Sequence, residues 1–291
     1  MAFRIIVLAK QVPDTRNVKE DAMKSDGTVN RAALPAIYNP EDLNALEQAL
    51  KIKDGLTDAE VIILTMGPPR AADIIRESMY RDADRGYLIT DRRFAGADTL
   101  ATSYVISKAV EKIGDYDLIV SGRQAIDGDT AQVGPQTAEK LNIPQITYAE
   151  EILSVEKGKI KVKRRLERGV EVVESTLPAL VTVHGSAAPC RPKNAKLLMK
   201  YKHAKTPTEL QTLDDDYINQ SVRNKPYLNI EELSLDDLSC EECKIGLAGS
   251  PTKVKKIDNV ILQAKDAKVL KDSEGDIKDL MTELITNHTL G

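Results

Sequence analysis

Short aliphatic runs alternate with longer amphipathic stretches through the first half of the chain. Phe3 to Ala9 is mostly apolar and reads as a first strand. Lys10 to Tyr38 is long and polar and carries the turn residues Pro13, Asp14, Asp26-Gly27 and Pro35. Asn39-Pro40-Glu41-Asp42 marks a helix start, with Pro near the first helical position and acids in the first turn, where the helix dipole favours them. Leu43, Leu46, Ala49 and Leu50 follow at helical spacing. Val61 to Met66 is a second strand, cut off by Gly67-Pro68-Pro69, and Ile74, Ile75 and Met79 belong to the helix after it. Gly86 to Thr90 reads as a third strand, Asp98 to Ile113 as a helix, Leu118 to Ser121 as a fourth strand and Pro135 to Leu141 as a helix. Strands alternating with helices of this length predict βαβ units and an α/β fold with a mostly parallel, doubly wound sheet.

The pattern changes after Pro144. Ile152 to Val155, Ile160 to Arg164, Val170 to Val173 and Ala179 to Val183 are short strand candidates, several alternating apolar with charged residues, as strands wet on one face do. From about Pro189 the chain becomes basic and irregular. A last amphipathic stretch carries Ile277, Leu280, Met281, Leu284 and Ile285. The expected organisation is an α/β domain over 1–200 and a C-terminal arm over 201–291 that packs on another body.

Composition narrows the function. The chain has 291 residues, with 41 Lys+Arg against 45 Asp+Glu. A near balance offers no general attraction to a polyanion, so nucleic acid is not an expected partner. Aromatic residues make up 4%, too few for a base-stacking surface, and leave the core to Val, Ile, Leu and Ala. No apolar run approaches the roughly 18–20 residues of a membrane span, and the N-terminus lacks the pattern of a signal peptide. Three cysteines do not make a disulfide framework and suit a reducing, cytoplasmic setting.

In an open parallel sheet, ligands bind beyond the carboxyl ends of the strands. Three segments fall there: Leu8 to Pro13, Met66 to Pro69 and Ser121 to Pro135. The last reads SGRQAIDGDTAQVGP. Gly122 and Gly128 let backbone approach a ligand, Arg123 offers a fork of donors suited to phosphate, and Thr130 can cap the next helix so that its amides face an anion. Asp127 and Asp129 can accept from ribose or adenine. The same residues would also make an ordinary capped surface loop. No GxxxxGK[ST] and no GxGxxG follows the first strand. Cys240 and Cys243 form one CxxC pair, short of the four ligands of a structural zinc. Lys193, Lys196, Lys200, Lys202 and Lys205 form a basic run that is either a solvated face or a docking surface for an acidic partner.

The chain resembles the β subunit of electron-transfer flavoproteins. The likeness lies in ordered matches over most of the first 180 residues: IIVLAKQVPDT, NPEDLNALEQALKIKD, VIILTMGPP, GRQAIDGDTAQVGP and LPALVTV. It implies a Rossmann-like nucleotide-binding domain, a heterodimer with a flavin-carrying α subunit, and an arm that embraces that partner. It places nucleotide contacts on Leu8, Asn39, Asp42 and Met66 and on Gly122, Arg123, Gln124, Ala125, Asp127, Gly128, Asp129, Thr130, Gln132 and Val133. Lys10, Gln11 and Gly67 join them as neighbours in the same strand-end segments. No catalytic side chain and no metal ligand is expected.

Two subtypes differ in that site: one holds AMP as a structural ligand, the other an FAD that takes hydride from NADH and bifurcates electrons. TMGPP at 65–69, DRRFAGADTLATS at 91–103, DGDTAQVGP in the loop and AGSPTKV at 248–254 resemble the bifurcating kind. That subtype implies ferredoxin or flavodoxin as low-potential acceptor and a flavin-dependent dehydrogenase as the other. After LPALVTV, family members carry an Asn-Glu-Pro-Arg run that docks an acyl-CoA dehydrogenase. Here only Pro189 and Arg191 match it, which leaves a 2-hydroxy-acid dehydrogenase as the alternative partner. A nucleotide-hydrolysing domain acting alone is a third reading, disfavoured by the apolar tail.

Overall fold

The computed structural model describes residues 2–14, 35–156, 158–252, 269–287 and 289–290. The first strand, β1, is Phe3–Ala9. Gln11–Pro13 (β2) and Ala36–Tyr38 (β3) form a small antiparallel pair. Helix α1 spans Pro40–Gly55, and β4 (Ala59–Met66), α2 (Ala72–Met79), β5 (Arg85–Ile89), α3 (Thr99–Ile113), β6 (Leu118–Gly122) and α4 (Val133–Leu141) follow in alternation. Next come β7 (Gln145–Glu156), β8 (Lys159–Leu166), β9 (Gly169–Thr176) and β10 (Ala179–Val183), then α5 (Ala195–Tyr201), α6 (Pro207–Thr212), α7 (Asp216–Asn224), β11 (Glu231–Leu233) and α8 (Glu274–Thr286).

The main sheet runs β11-β5-β4-β1-β6-β10-β7-β8-β9. From β11 to β7 every neighbouring pair is parallel, and β8 and β9 continue the sheet antiparallel. Alternation along each strand serves both faces. Ile5, Val7, Val61, Ile63 and Val120 pack in one cluster with Leu46 and Leu50 of α1 and Ile75 of α2. Ile6, Leu8, Ile62, Leu64 and Ile119 pack in another with Val105 and Ala109 of α3 and Ala138 of α4. The sheet is therefore doubly wound, as predicted, and each Ile or Leu buried this way contributes about 1.5–3 kcal/mol.

The expected boundary at residue 200 is not where the chain divides. It splits into two compact units, Met1–Lys255 and Lys256–Gly291. The stretch after Pro189 holds α5, α6, α7 and β11; Tyr201, Val222 and Leu233 of these and Leu228 between α7 and β11 are buried, and β11 adds a parallel strand beside β5. Caps rather than apolar periodicity hold these short helices: Asn194 for α5, a Thr206–Glu209 capping box for α6 and Asp215 for α7. In the second unit, α8 starts at a Ser273 cap and exposes Ile277, Met281 and Ile285 along one side. Among the described residues, no helix is long and apolar enough to cross a membrane.

Candidate functional site

Strand β1 is flanked by β4 on one side and β6 on the other, and the chain visits β4 and β5 before it returns to β6. That reversal opens a crevice above the carboxyl ends of these strands. A cavity of about 760 Å³ sits there. Its wall takes in the ends of β1, β4, β5 and β6, the segment 90–99, Thr102 and Ile106 of α3, and the loop from Gly122 into α4.

The floor of the β6 side is built for close approach. Helix α4 begins at Val133 with Gln132 as its N-cap residue, and no side chain caps it. Its first amides therefore stand open at the cavity wall, where an anion is favoured. Thr130 is not the cap that the sequence suggested; it lines the cavity two residues earlier. A Cβ on Gly134 would come within 2.8 Å of Thr182 Cγ2 and 3.0 Å of Ser121 Oγ, so only glycine lets the helix start sit against β6 and β10. Ser121 is 6% exposed, and its hydroxyl has no hydrogen-bond partner among the described residues. The loop before α4 holds Asp129 at φ 50° and Ala131 at φ 53°, a left-handed pair of which the alanine is the costlier.

Of the residues singled out from sequence, all but Asn39 line this cavity: Leu8, Lys10, Gln11, Asp42, Met66, Gly67, Gly122, Arg123, Gln124, Ala125, Asp127, Gly128, Asp129, Thr130, Gln132 and Val133. Asn39 lies beneath the loop, fully buried, with Nδ2 donating to the Gln124 carbonyl at 2.9 Å and Oδ1 accepting from the Ile126 amide at 3.2 Å. Arg123 is not a free phosphate fork. Its Nη2 donates to Glu41 Oε1 at 2.9 Å and its guanidinium lies 5.8 Å from the Tyr148 ring centroid. Lys10 Nζ is likewise paired, with Asp127 at 2.7 Å, and Gln124 Nε2 donates to Asp129 Oδ1 at 2.8 Å.

Asp42 joins two strand ends. Its Oδ2 accepts from the Lys10 amide at 2.8 Å and its Oδ1 from the Gly122 amide at 3.1 Å. Burial pushes its carboxyl up to about 7, against the donors around it, Asn39 and those two amides.

Sequence reasoning placed Ser121 at the start of a candidate ligand segment but gave it no role, and it did not place the 90–99 stretch at the site. Asp98 caps α3 through the Leu100 and Ala101 amides, both at 3.0 Å. Its other oxygen accepts from Thr252 Oγ1 at 2.8 Å, while its own amide donates to Ser250 Oγ at 2.8 Å. The motif at 91–103 and the part of the second motif at 248–252 thus meet at Asp98, which lines the cavity; Lys253 and Val254 lie outside the described residues. Their subtype resemblance was a signal, but nothing in the spacing joined them.

The electron transfer flavoprotein domain family matches residues 26–209. An electron transfer flavoprotein subunit beta from Megasphaera elsdenii is 42% identical over 261 residues, 88% of this chain and 87% of its own length. The chain belongs to the electron transfer flavoprotein family, among its β subunits. It is also 40% identical, over 99% of its length and 100% of the relative's, to an acryloyl-CoA reductase electron transfer subunit gamma from Anaerotignum propionicum. Caffeyl-CoA reductase-Etf complex subunit CarD from Acetobacterium woodii is 51% identical over 180 residues, 62% of this chain and 68% of that one.

Family membership brings flavin or AMP as the cofactor class and pairing with an α subunit and with dehydrogenases. The crevice suits an adenine nucleotide: an orphaned buried hydroxyl, uncapped helix amides and a glycine-made gap lie together on its β6 side. Among the described residues no cluster of His, Cys, Asp or Glu could hold a metal ion, and Cys190, Cys240 and Cys243 are free thiols. The basic run is not one free patch. Lys193 pairs with Glu77 at 3.4 Å, Lys205 reaches Glu209 at 4.0 Å, and Lys200 lies 4.5 Å from the Tyr201 ring centroid.

Proposed function

We propose that this chain is the β subunit of a bifurcating electron transfer flavoprotein and that its cavity holds FAD. When bound, FAD supplies hydride acceptance from NADH and release of single electrons, one to ferredoxin or flavodoxin and one, through the α-subunit flavin, to a dehydrogenase. The residues of this chain bind and orient it. The Val133 and Gly134 amides with the Ser121 hydroxyl receive phosphate. Asp127 and Asp129, steadied by Lys10 and Gln124, lie within the loop where a sugar would be held. Pro68, Pro69 and Phe94 line the apolar side.

The observation that carries the reading is the reach of the cavity. At about 760 Å³ it lies high in the roughly 300–1,000 Å³ range of ligand sites, and its lining extends from the α4 start to the 90–99 wall. Relatives named for acryloyl-CoA and caffeyl-CoA reductase complexes support an electron-transfer role, which the proposal places in the cytoplasm and in anaerobic metabolism. The dehydrogenase is of acyl-CoA or 2-hydroxy-acid type, and α8 with its apolar stripe belongs to the arm that packs on the α subunit.

The second reading is AMP as a structural ligand in a carrier that docks an acyl-CoA dehydrogenase. The Arg123–Glu41 pair favours it, because one phosphate at α4 needs no guanidinium. Extraction of nucleotide from the purified αβ complex separates the two. Two FAD per heterodimer is the expected result; one FAD with one AMP would overturn the bifurcating assignment.

A further inference from the structure

We propose that Asp42 and Glu41, consecutive in the first turn of α1, are positioning residues that hold the ligand loop in register, and that the charge on Asp42 sets how firmly it is held. The inference rests on the cavity being a nucleotide site. Its basis is a ladder of side-chain to backbone bonds. The amides of Gly122, Gln124 and Ile126, alternate residues of the loop, are taken in turn by Asp42 at 3.1 Å, Glu41 at 3.1 Å and Asn39 at 3.2 Å. Asp42 also takes the Lys10 amide at 2.8 Å, so one carboxylate fixes the rims of both β1 and β6. The loop that carries Ala125 to Val133 thus has its position set by α1. A Cβ on Gly122 would collide with the Asp42 carboxylate, so the close approach depends on that glycine.

The ladder uses Asp42 as an ion without giving it a cation. Asp42 is 6% exposed. The charged groups around it are already engaged: Lys10 with Asp127, and Arg123 with Glu41. The Tyr38 hydroxyl, on the adjoining strand, is bonded to Ser78. A carboxylate has two acceptor oxygens for two amides. On protonation one oxygen becomes a hydroxyl, a weaker acceptor whose O–H needs a partner of its own, so the bond to one rim is weakened. Burial places this change at about 7, within the range a cell experiences. The sign for stability is opposite. A carboxyl whose folded value lies above its unfolded one destabilises the fold at neutral pH, and stability is regained as pH falls through 7 towards 4. Asp42 thus costs stability at neutral pH while its two oxygens hold the rims of β1 and β6.

The experiment is calorimetric titration of the full chain with FAD and, separately, with AMP, from about pH 5.5 to about pH 8.5, alongside thermal denaturation. Wild-type affinity is expected to weaken about tenfold on acidification, the size of one lost charge-assisted hydrogen bond, with its midpoint near 7. Asp42→Asn, which offers one acceptor at every pH, is expected to bind at the weak plateau with no pH dependence while its melting temperature at pH 8 is unchanged or higher. Glu41→Gln should weaken binding modestly and keep the wild-type midpoint. Wild-type affinity in Asp42→Asn, a persistent midpoint near 7 in that variant, or a fall in melting temperature parallel to affinity would overturn the proposal. If wild type binds neither FAD nor AMP at any pH, the nucleotide reading falls and this inference with it.

Discussion

Ser121→Ala offers a test in which stability and binding move in opposite directions. The Ser121 hydroxyl is buried beneath the first turn of α4 and unpaired among the described residues. An unsatisfied buried hydroxyl costs about 1–3 kcal/mol, so its removal relieves the nucleotide-free chain of part of that penalty. Alanine leaves a gap smaller than a methyl group, which returns little of the gain. At about 2–4 °C per kcal/mol for a domain of this size, the nucleotide-free melting temperature should rise by a few degrees. Binding should fall. A hydroxyl donating to a phosphate oxygen contributes about 1.5–3 kcal/mol, or about 10- to 150-fold in dissociation constant. Differential scanning fluorimetry of nucleotide-free protein and calorimetric titration with FAD and AMP measure the two effects. A lower melting temperature, or unchanged affinity for both nucleotides, would refute the assignment of Ser121 to the ligand.

Two further outcomes follow from the contacts at the cavity wall. Arg123→Ala should change FAD affinity by less than about threefold and lower stability by about 0.5–1 kcal/mol, since the guanidinium serves Glu41 and the pair is partly exposed; abolished binding in titration would return Arg123 to the phosphate. Asp98→Ala should lower the denaturant midpoint by about 1 kcal/mol equivalent through loss of the α3 cap and loosen Thr252. Asp98 is held below the usual carboxylate range: partial burial opposes this, but the bonds from Ala101 and Thr252 prevail. Its share of stability is therefore present above about pH 4 and lost on acidification, a slope that Asp98→Ala should lack.

The strands and helices of the first half were legible because each is long enough to show a period. Ile5 to Leu8 are buried on both faces and so read as one aliphatic run, while α3 repeats Ala101, Val105 and Ala109 at helical spacing. The elements that sequence did not yield are short or held by caps. Strands β2, β3 and β11 have three residues each with one of them buried, and α6, with six, buries none of its own. Their stability comes from pairing with partners far along the chain, such as β11 against β5, which no local pattern encodes. At the site, residue types were legible and pairings were not. Arg123 and the Asp127 carboxylate were each readable as ligand groups, but Glu41, which claims the first, reads from sequence as an ordinary first-turn acid.

If the cavity holds a nucleotide, as proposed, that pairing changes how it is recognised. Its wall holds the cations Lys10, Arg92 and Arg123 against the carboxyls Asp42, Asp91, Asp98, Asp127 and Asp129. Lys10 and Arg123 are spent on carboxylates, and Arg92 stands on the exposed rim. A phosphate entering this site meets no excess of positive charge, so attraction by net charge cannot be what selects it. Selection falls instead to oriented dipoles, the open amides at the α4 start and the Ser121 hydroxyl, which act only at hydrogen-bond distance and only if the loop is in register. On the proposed reading, the contacts from Asn39, Glu41 and Asp42 to the loop amides serve to keep those dipoles in place. Where recognition depends on amides rather than charges, the placement of a few peptide groups carries the affinity, and the residues that fix those groups matter as much as any that touch the ligand.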